Sequence, residues 1–246
     1  MARFFAGEES RREEGKIILT GPDVNHMKNV LRMKPGEMAE VVWDGMVLNA
    51  EIAAYPGDEA VLDILSEKPA GNELKARITL YQGLPKQDKL ELIVQKAVEL
   101  GACRIVPVDM KRCVARWDEK KEAARRKRYQ AIAESAAKQA GRDMIPEIGP
   151  LLRFKDALKE AEEENDIILF PYEKADGMAE SRGIVESLPK DARIAVFIGP
   201  EGGFDPEEVR EAEEKNARII TLGPRILRTE TAGLAVLSIL MFHLNE

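Results

Sequence analysis

The stretch RIAVFIGPEGGFDPEEV, residues 193–209, ends an apolar run in three glycines around one carboxylate and restarts at once as an acidic helix. Gly199, Gly202 and Gly203 carry no Cβ, which opens unusual backbone conformations and lets a ligand approach main-chain atoms closely. Glu201 adds negative charge, which suits a ligand that is cationic or rich in hydroxyl and amine groups. A pyrophosphate is disfavoured, because Glu201 would repel it and neither G-x-G-x-x-G nor G-x-x-x-x-G-K-[ST] is present. Downstream, LGPRILRTETAG, residues 222–233, sets Arg225 and Arg228 ahead of Thr229, the expected N-cap of the last helix. Cations oppose the helix dipole at a start. The two arginines therefore point to chemistry: neutralising negative charge that develops on a substrate, or clamping phosphate.

The elements that must position these loops are legible in the pattern. Asp205 is an N-cap, Pro206 takes the first helical position, and Glu208 returns the capping-box bond, with Phe204 and Val209 as a hydrophobic staple. From residue 77 strands and helices alternate. The strands are RITLYQ, RIVPV, DIILF, RIAVFI and ARIITL. The helices are DKLELIVQKAVELG, the long basic DEKKEAARRKRYQAIAESAAKQAG, FKDALKEAEEEN, one near 177–188, DPEEVREAEEKN and the apolar TETAGLAVLSILMFHL. Buried strands alternating with helices predict an α/β fold, a mostly parallel sheet covered on both faces. Such sheets bind ligands beyond the carboxyl ends of their strands, here the loops FPYEK, GPEGGF and GPRILRTET. Residues 1–70 read differently. KIILT, EMAEVVWDGMVLNAEIA and EAVLDIL are short β-type runs, Asp44-Gly45 marks a tight hairpin, and DVNHMKNVLRM is one short helix closed by Pro35-Gly36. A compact antiparallel β-barrel is expected there, with SEKPAGNELKA as the linker.

Composition narrows the classes. The net charge of −7 argues against nucleic acid, but between Arg104 and Arg142 twelve Lys and Arg stand against five acids. Such clustering on one element is the electrostatic footprint of phosphate contacts. No apolar run approaches the roughly 18 residues that span a bilayer, and the first residues resemble neither a signal nor a transit peptide. Cys103 and Cys113 have no CxxC spacing or nearby histidine, so reduced, buried thiols and no metal site are expected. The expected location is the cytoplasm.

FIGPEGGFDPEEV together with LGPRILRTETAGLAVLSIL resembles the RsmE family of SPOUT-class RNA methyltransferases. HMKNVLRMKPGE, KQDKLELIVQKAVELGACRIVPV and AESAAKQAGR support the match, in order along the chain. The resemblance implies a PUA-like RNA-binding β-barrel over 1–70. Over 74–246 it implies a SPOUT domain with a trefoil knot, S-adenosylmethionine as cofactor, and a homodimer. The implied reaction is methylation of N3 of a uridine in 16S ribosomal RNA, with naked RNA or the assembled small subunit as substrate. On the family pattern the cofactor contacts are Phe170, Pro171, Ile198, Gly199, Glu201, Gly203, Leu222, Gly223, Ile226, Leu227 and Thr231. Catalysis falls to Arg228, stabilising the anion formed when uridine N3 loses its proton, with Glu201 as base or orienting group. Neither His26 nor His243 is placed as a base. RNA contacts are expected at Arg3, His26, Lys28, Arg32, Lys86, Lys89, Lys138, Gln139 and Arg142. Two rivals stay open. One is a nicotinamide or flavin oxidoreductase lacking the usual phosphate turn; the other is a non-catalytic RNA-binding ribosome-assembly factor on the same scaffold.

Overall fold

The computed structural model describes residues 1–175 and 177–245, apart from the side chains of Glu119 and Lys120. Glu246, the last residue of the expected second domain, lies outside the described residues. The chain divides into two compact units, Met1–Glu73 with Ala137–Met144, and Leu74–Ala136 with Ile145–Glu246.

The first unit contains β1 (Ala2–Phe5), β2 (Arg11–Glu13), β3 (Lys16–Leu19), α1 (Pro22–Asn25), β4 (Met38–Trp43), β5 (Met46–Ala54) and β6 (Ala60–Pro69). They form one sheet in the order β1-β4-β5-β6-β3-β2. Asp44 and Gly45, with φ of 45° and 71°, turn β4 into β5 as the dipeptide predicts. Alternating residues Val41, Leu48, Ala50 and Ile52 join Phe4, Ile17, Leu19 and Met27 in the core. The pairing is antiparallel except that β1 runs parallel to β4, which no local pattern announces. The expected helix over 23–33 also differs. It begins at Pro22, turns π-helical over His26–Val30, and leaves Val30 and Leu31 exposed.

The segment 137–144 joins this unit through charge. The Arg3 guanidinium donates to Glu40 Oε2 at 3.1 Å, to the carbonyls of Gly141 and Arg142 at 2.6 and 2.9 Å, and to Asp143 Oδ1 at 2.7 Å. Lys138 pairs with Asp23, and Arg142 Nε donates to Glu73 at 2.8 Å. Arg3 and Arg142 are only 7% and 5% exposed. Of the expected RNA contacts, Arg3, Lys138 and Arg142 are thus engaged within the fold, Arg3 and Lys138 by buried carboxylates and Arg142 by the half-buried Glu73.

The second unit contains β7 (Arg77–Gly83), α2 (Lys89–Glu99), β8 (Ala102–Asp109), α3 (Glu119–Ala140, its last turn belonging to the first unit), β9 (Glu147–Ile148), β10 (Leu152–Arg153), α4 (Phe154–Glu164), β11 (Ile167–Pro171), α5 (Met178–Glu186), β12 (Arg193–Ile198), α6 (Pro206–Glu214), β13 (Arg218–Ile220) and α7 (Thr229–Leu244). The sheet order is β10-β8-β7-β12-β11-β13, every pairing parallel, with β9 also beside β8. Its centre is dry: Ile194 to Phe197 of β12 are fully buried. An aromatic cluster packs one face, with Tyr81 stacked on Phe197 at 4.6 Å and Phe170 against Phe204 at 4.0 Å. Burial of this kind, about 25 cal/mol per Å² of apolar surface, fixes the strand ends from which the loops emerge. The two-residue strands β9 and β10 carry no readable period, and β13 is shorter than ARIITL implies.

Candidate functional site

Loops leaving the carboxyl ends of β11, β12 and β13 surround a cavity of about 380 Å³. That is within the range of ligand pockets, roughly 300–1,000 Å³. The 199–203 loop has little freedom. Asp205 caps α6, its side chain accepting from Glu207 N–H at 3.1 Å, while Glu208 Oε2 accepts from Asp205 N–H at 2.9 Å. Phe204 and Val209 are buried as the staple requires. The glycines then serve different ends. Gly203 has φ of 66°, whereas a Cβ on Gly199 would stand 3.2 Å from the Gly203 carbonyl carbon. The loop folds against itself there.

Two clasps tie this loop to its neighbours. Thr229 Oγ1 donates to the Gly199 carbonyl at 2.6 Å, and the buried Gln82 amide donates to Thr229 Oγ1 at 2.9 Å. Thr229 is thus the first residue of α7 rather than its side-chain cap; Arg228 is the N-cap residue and makes no side-chain cap bond. The second clasp holds Glu201. Its carboxylate accepts from Lys86 N–H at 3.0 Å and from Lys89 Nζ at 3.1 Å, and Lys89 also reaches Glu230 Oε2 at 3.3 Å. Burial pushes the Glu201 carboxyl up, but hydrogen bonds from its own backbone, from Lys86 N–H and from the Lys89 ammonium outweigh it and hold the pKa below the usual range. The hydrogen bond to Glu201 raises that of Lys89, against its partial desolvation. Glu201 is therefore a poor proton acceptor at neutral pH, and Lys89 is occupied by two carboxylates. The expected base Glu201 and the expected RNA contact Lys89 are thus placed as anchors of this loop.

Of the expected cofactor contacts, Pro171, Ile198, Gly199, Glu201, Gly203, Leu222, Gly223, Ile226 and Leu227 line the cavity, as does Arg228. Phe170 does not: it is fully buried in the aromatic cluster. Thr231 lies exposed on α7 outside the lining, where Ala232 contributes instead. Ile226 is 86% exposed, an apolar side chain at the rim with no protein cover. Arg225 and Arg228 are exposed. Glu173, within the FPYEK loop expected to meet the ligand, also lines the cavity. Of the remaining RNA candidates, Lys28, Arg32, Lys86 and Gln139 are exposed, and His26 is half-buried, edge-on to Phe4. Among the described residues no group of three or more His, Cys, Asp and Glu is placed to hold a metal ion.

Comparison with known proteins bears on this geometry. Residues 72–241 match the family described as RNA methyltransferase domain, and residues 19–62 match the RNA methyltransferase PUA domain. The ribosomal RNA small subunit methyltransferase E of Bacillus subtilis (strain 168) is 33% identical over 249 residues, covering 99% of this chain and 97% of that protein. The protein of the same name from Aquifex aeolicus (strain VF5) is 32% identical, covering 96% and 98%. A crystal structure of a ribosomal RNA small subunit methyltransferase E from Neisseria gonorrhoeae bound to S-adenosyl methionine aligns with a TM-score of 0.79 at 32% identity, over 96% of this chain and 95% of that one.

Proposed function

Because the chain belongs to the ribosomal RNA small subunit methyltransferase E family, within the RNA methyltransferase domain class, we propose that it uses S-adenosylmethionine to methylate N3 of a uridine in 16S ribosomal RNA. The observation that carries this is the cavity walled by the 199–203 and 222–229 loops. The residues present fit the cofactor. Gly199, Gly203 and Gly223 line the cavity without side chains, and Ile198, Leu222, Ile226 and Leu227 offer apolar cover for an adenine ring.

When bound, S-adenosylmethionine would supply an activated methyl group, with S-adenosylhomocysteine as its leaving group. The protein's work is on the acceptor. N3 must lose its proton, which passes to solvent, and the resulting negative charge spreads over O2 and O4. The Arg228 guanidinium, exposed at the cavity rim, donates hydrogen bonds to that anion. A paired uridine hides N3, so the target base leaves its stack to react. Of the expected contacts, the exposed Lys28, Arg32, Gln139 and Lys86 remain available to the RNA backbone.

A second copy of the chain completes the working unit. The outer face of α7 carries Ile239 at 45% and Phe242 at 87% exposure, and Met178 of α5 is 45% exposed. An apolar face of that kind is covered by association. No helix among the described residues is long and apolar enough to cross a membrane; the ribosomal RNA substrate supports a cytoplasmic activity.

The test is incubation with S-adenosylmethionine and small-subunit ribosomal RNA, read by mass spectrometry. N3-methyluridine at one site is expected, and Arg228→Ala lowers its rate of formation more than tenfold, about 1.4 kcal/mol of barrier, with cofactor affinity retained. Absence of methylated uridine in both naked RNA and assembled subunits would favour the assembly-factor alternative.

A further inference from the structure

The charges around the cavity do not balance for a cationic ligand unless Glu173 is counted. Arg225 and Arg228 bring two positive charges to the 222–229 loop. The negative charge of Glu201 is neutralised by Lys89 and by backbone N–H donors. Glu173 is the remaining carboxylate of the lining, and among the described residues its side chain has no hydrogen-bond or ion-pair partner. S-adenosylmethionine carries two cationic centres, the sulfonium and the α-ammonium, against one α-carboxylate; the arginines suit that carboxylate, and the two cations call for a carboxylate of the protein.

The loop geometry holds Glu173 where that charge is needed. Tyr172 N–H donates to the Ile220 carbonyl at 2.9 Å, and Ala175 N–H closes a turn on the Tyr172 carbonyl at 3.0 Å, so residue 173 sits at the corner of a hydrogen-bonded turn. Its carboxylate rests over the glycine loop: a Cβ built on Gly203 would stand 2.9 Å from Glu173 Oε1 and 3.3 Å from Oε2. Gly203 is constrained by its positive φ, and the carboxylate occupies the space its missing side chain leaves.

We propose that Glu173 is the receptor for the cofactor's positive charge, its carboxylate over Gly203 pairing with the sulfonium or the α-ammonium. The proposal rests on the functional reading above and assigns a role to one residue of the FPYEK loop. A charge partner at the reacting end also favours the charged donor over the thioether product whenever the sulfonium is the group it meets.

Calorimetric titration of wild type and Glu173→Gln with three ligands tests it. S-adenosylmethionine carries both cations, S-adenosylhomocysteine keeps only the ammonium, and methylthioadenosine carries neither. The exchange is isosteric at an exposed position, so an unchanged melting temperature is expected. Glu173→Gln weakens S-adenosylmethionine by about three- to fivefold, the upper scale of one ion pair at an exposed site, and leaves methylthioadenosine unchanged. If S-adenosylhomocysteine keeps its affinity, the sulfonium is the partner; if it weakens in parallel, the ammonium is. Equal weakening of all three ligands, or of none, overturns the proposal. A wild type that binds none of them overturns the functional reading instead.

Discussion

Glu201 illustrates how a side chain's partners decide its chemistry. A carboxylate in a ligand loop is a natural candidate for a base, yet here it accepts from the Lys86 N–H and the Lys89 ammonium, and its pKa lies below the ordinary range. With a depressed folded pKa, the stabilising contribution is present above the ordinary carboxylate value and is lost as pH falls through the folded one. Across neutral pH the anchor is constant. Glu201→Gln therefore weakens cofactor binding by several fold through a looser loop, while the pH–rate profile between about pH 6 and 9 keeps the wild-type shape. Disappearance of a neutral-range inflection in the variant would restore Glu201 as the base. Residues whose role is set by near neighbours were legible: Asp205, Pro206 and Glu208 do in the structure what their spacing announces. Residues whose partners lie far along the chain were not. Arg3 meets Asp143, and Lys138 meets Asp23, so basic side chains that look available for RNA are internal ties. Phe170, expected at the cofactor, has its ring in the aromatic cluster instead. An apolar residue at a strand end borders both a core and a ligand loop, and only packing tells which one it faces.

At the scale of elements, the period of the sequence predicted the alternation of strands and helices in the second unit, because buried parallel strands are continuous apolar runs. It missed β9 and β10, two residues each, and the π-helical turn over His26–Val30, where no periodicity is available to read. The last helix, apolar nearly all round, has a divided purpose. Val236, Leu237, Leu240 and Leu244 are buried, whereas Ile239 and Phe242 on the remaining face are exposed. That face is the proposed contact with a second copy. Sedimentation velocity on wild type should give a dimer, and Phe242→Asp, which replaces an exposed ring with a charge, should give a monomer with its melting temperature nearly unchanged. A monomeric wild type would remove the dimer from the account.

For the whole molecule, the order of motifs along the chain carried more than any single one. The resemblance drawn from GPEGGF and GPRILRTETAG agrees with family matches over residues 19–62 and 72–241 and with a parallel sheet whose ligand loops converge where such sheets place them. Composition alone pointed the other way, since net charge −7 disguises a basic window. The allocation of 137–144 to the first unit was hidden because contacts, not sequence order, define a compact body. The central claim is that the 199–203 and 222–229 loops jointly hold the methyl donor. A crystal structure grown with S-adenosylmethionine examines it directly: the account predicts the adenosine and methionine parts between those loops, the methyl group directed toward Arg228. Donor density elsewhere on the protein, with this cavity filled by solvent or side chains, would contradict it.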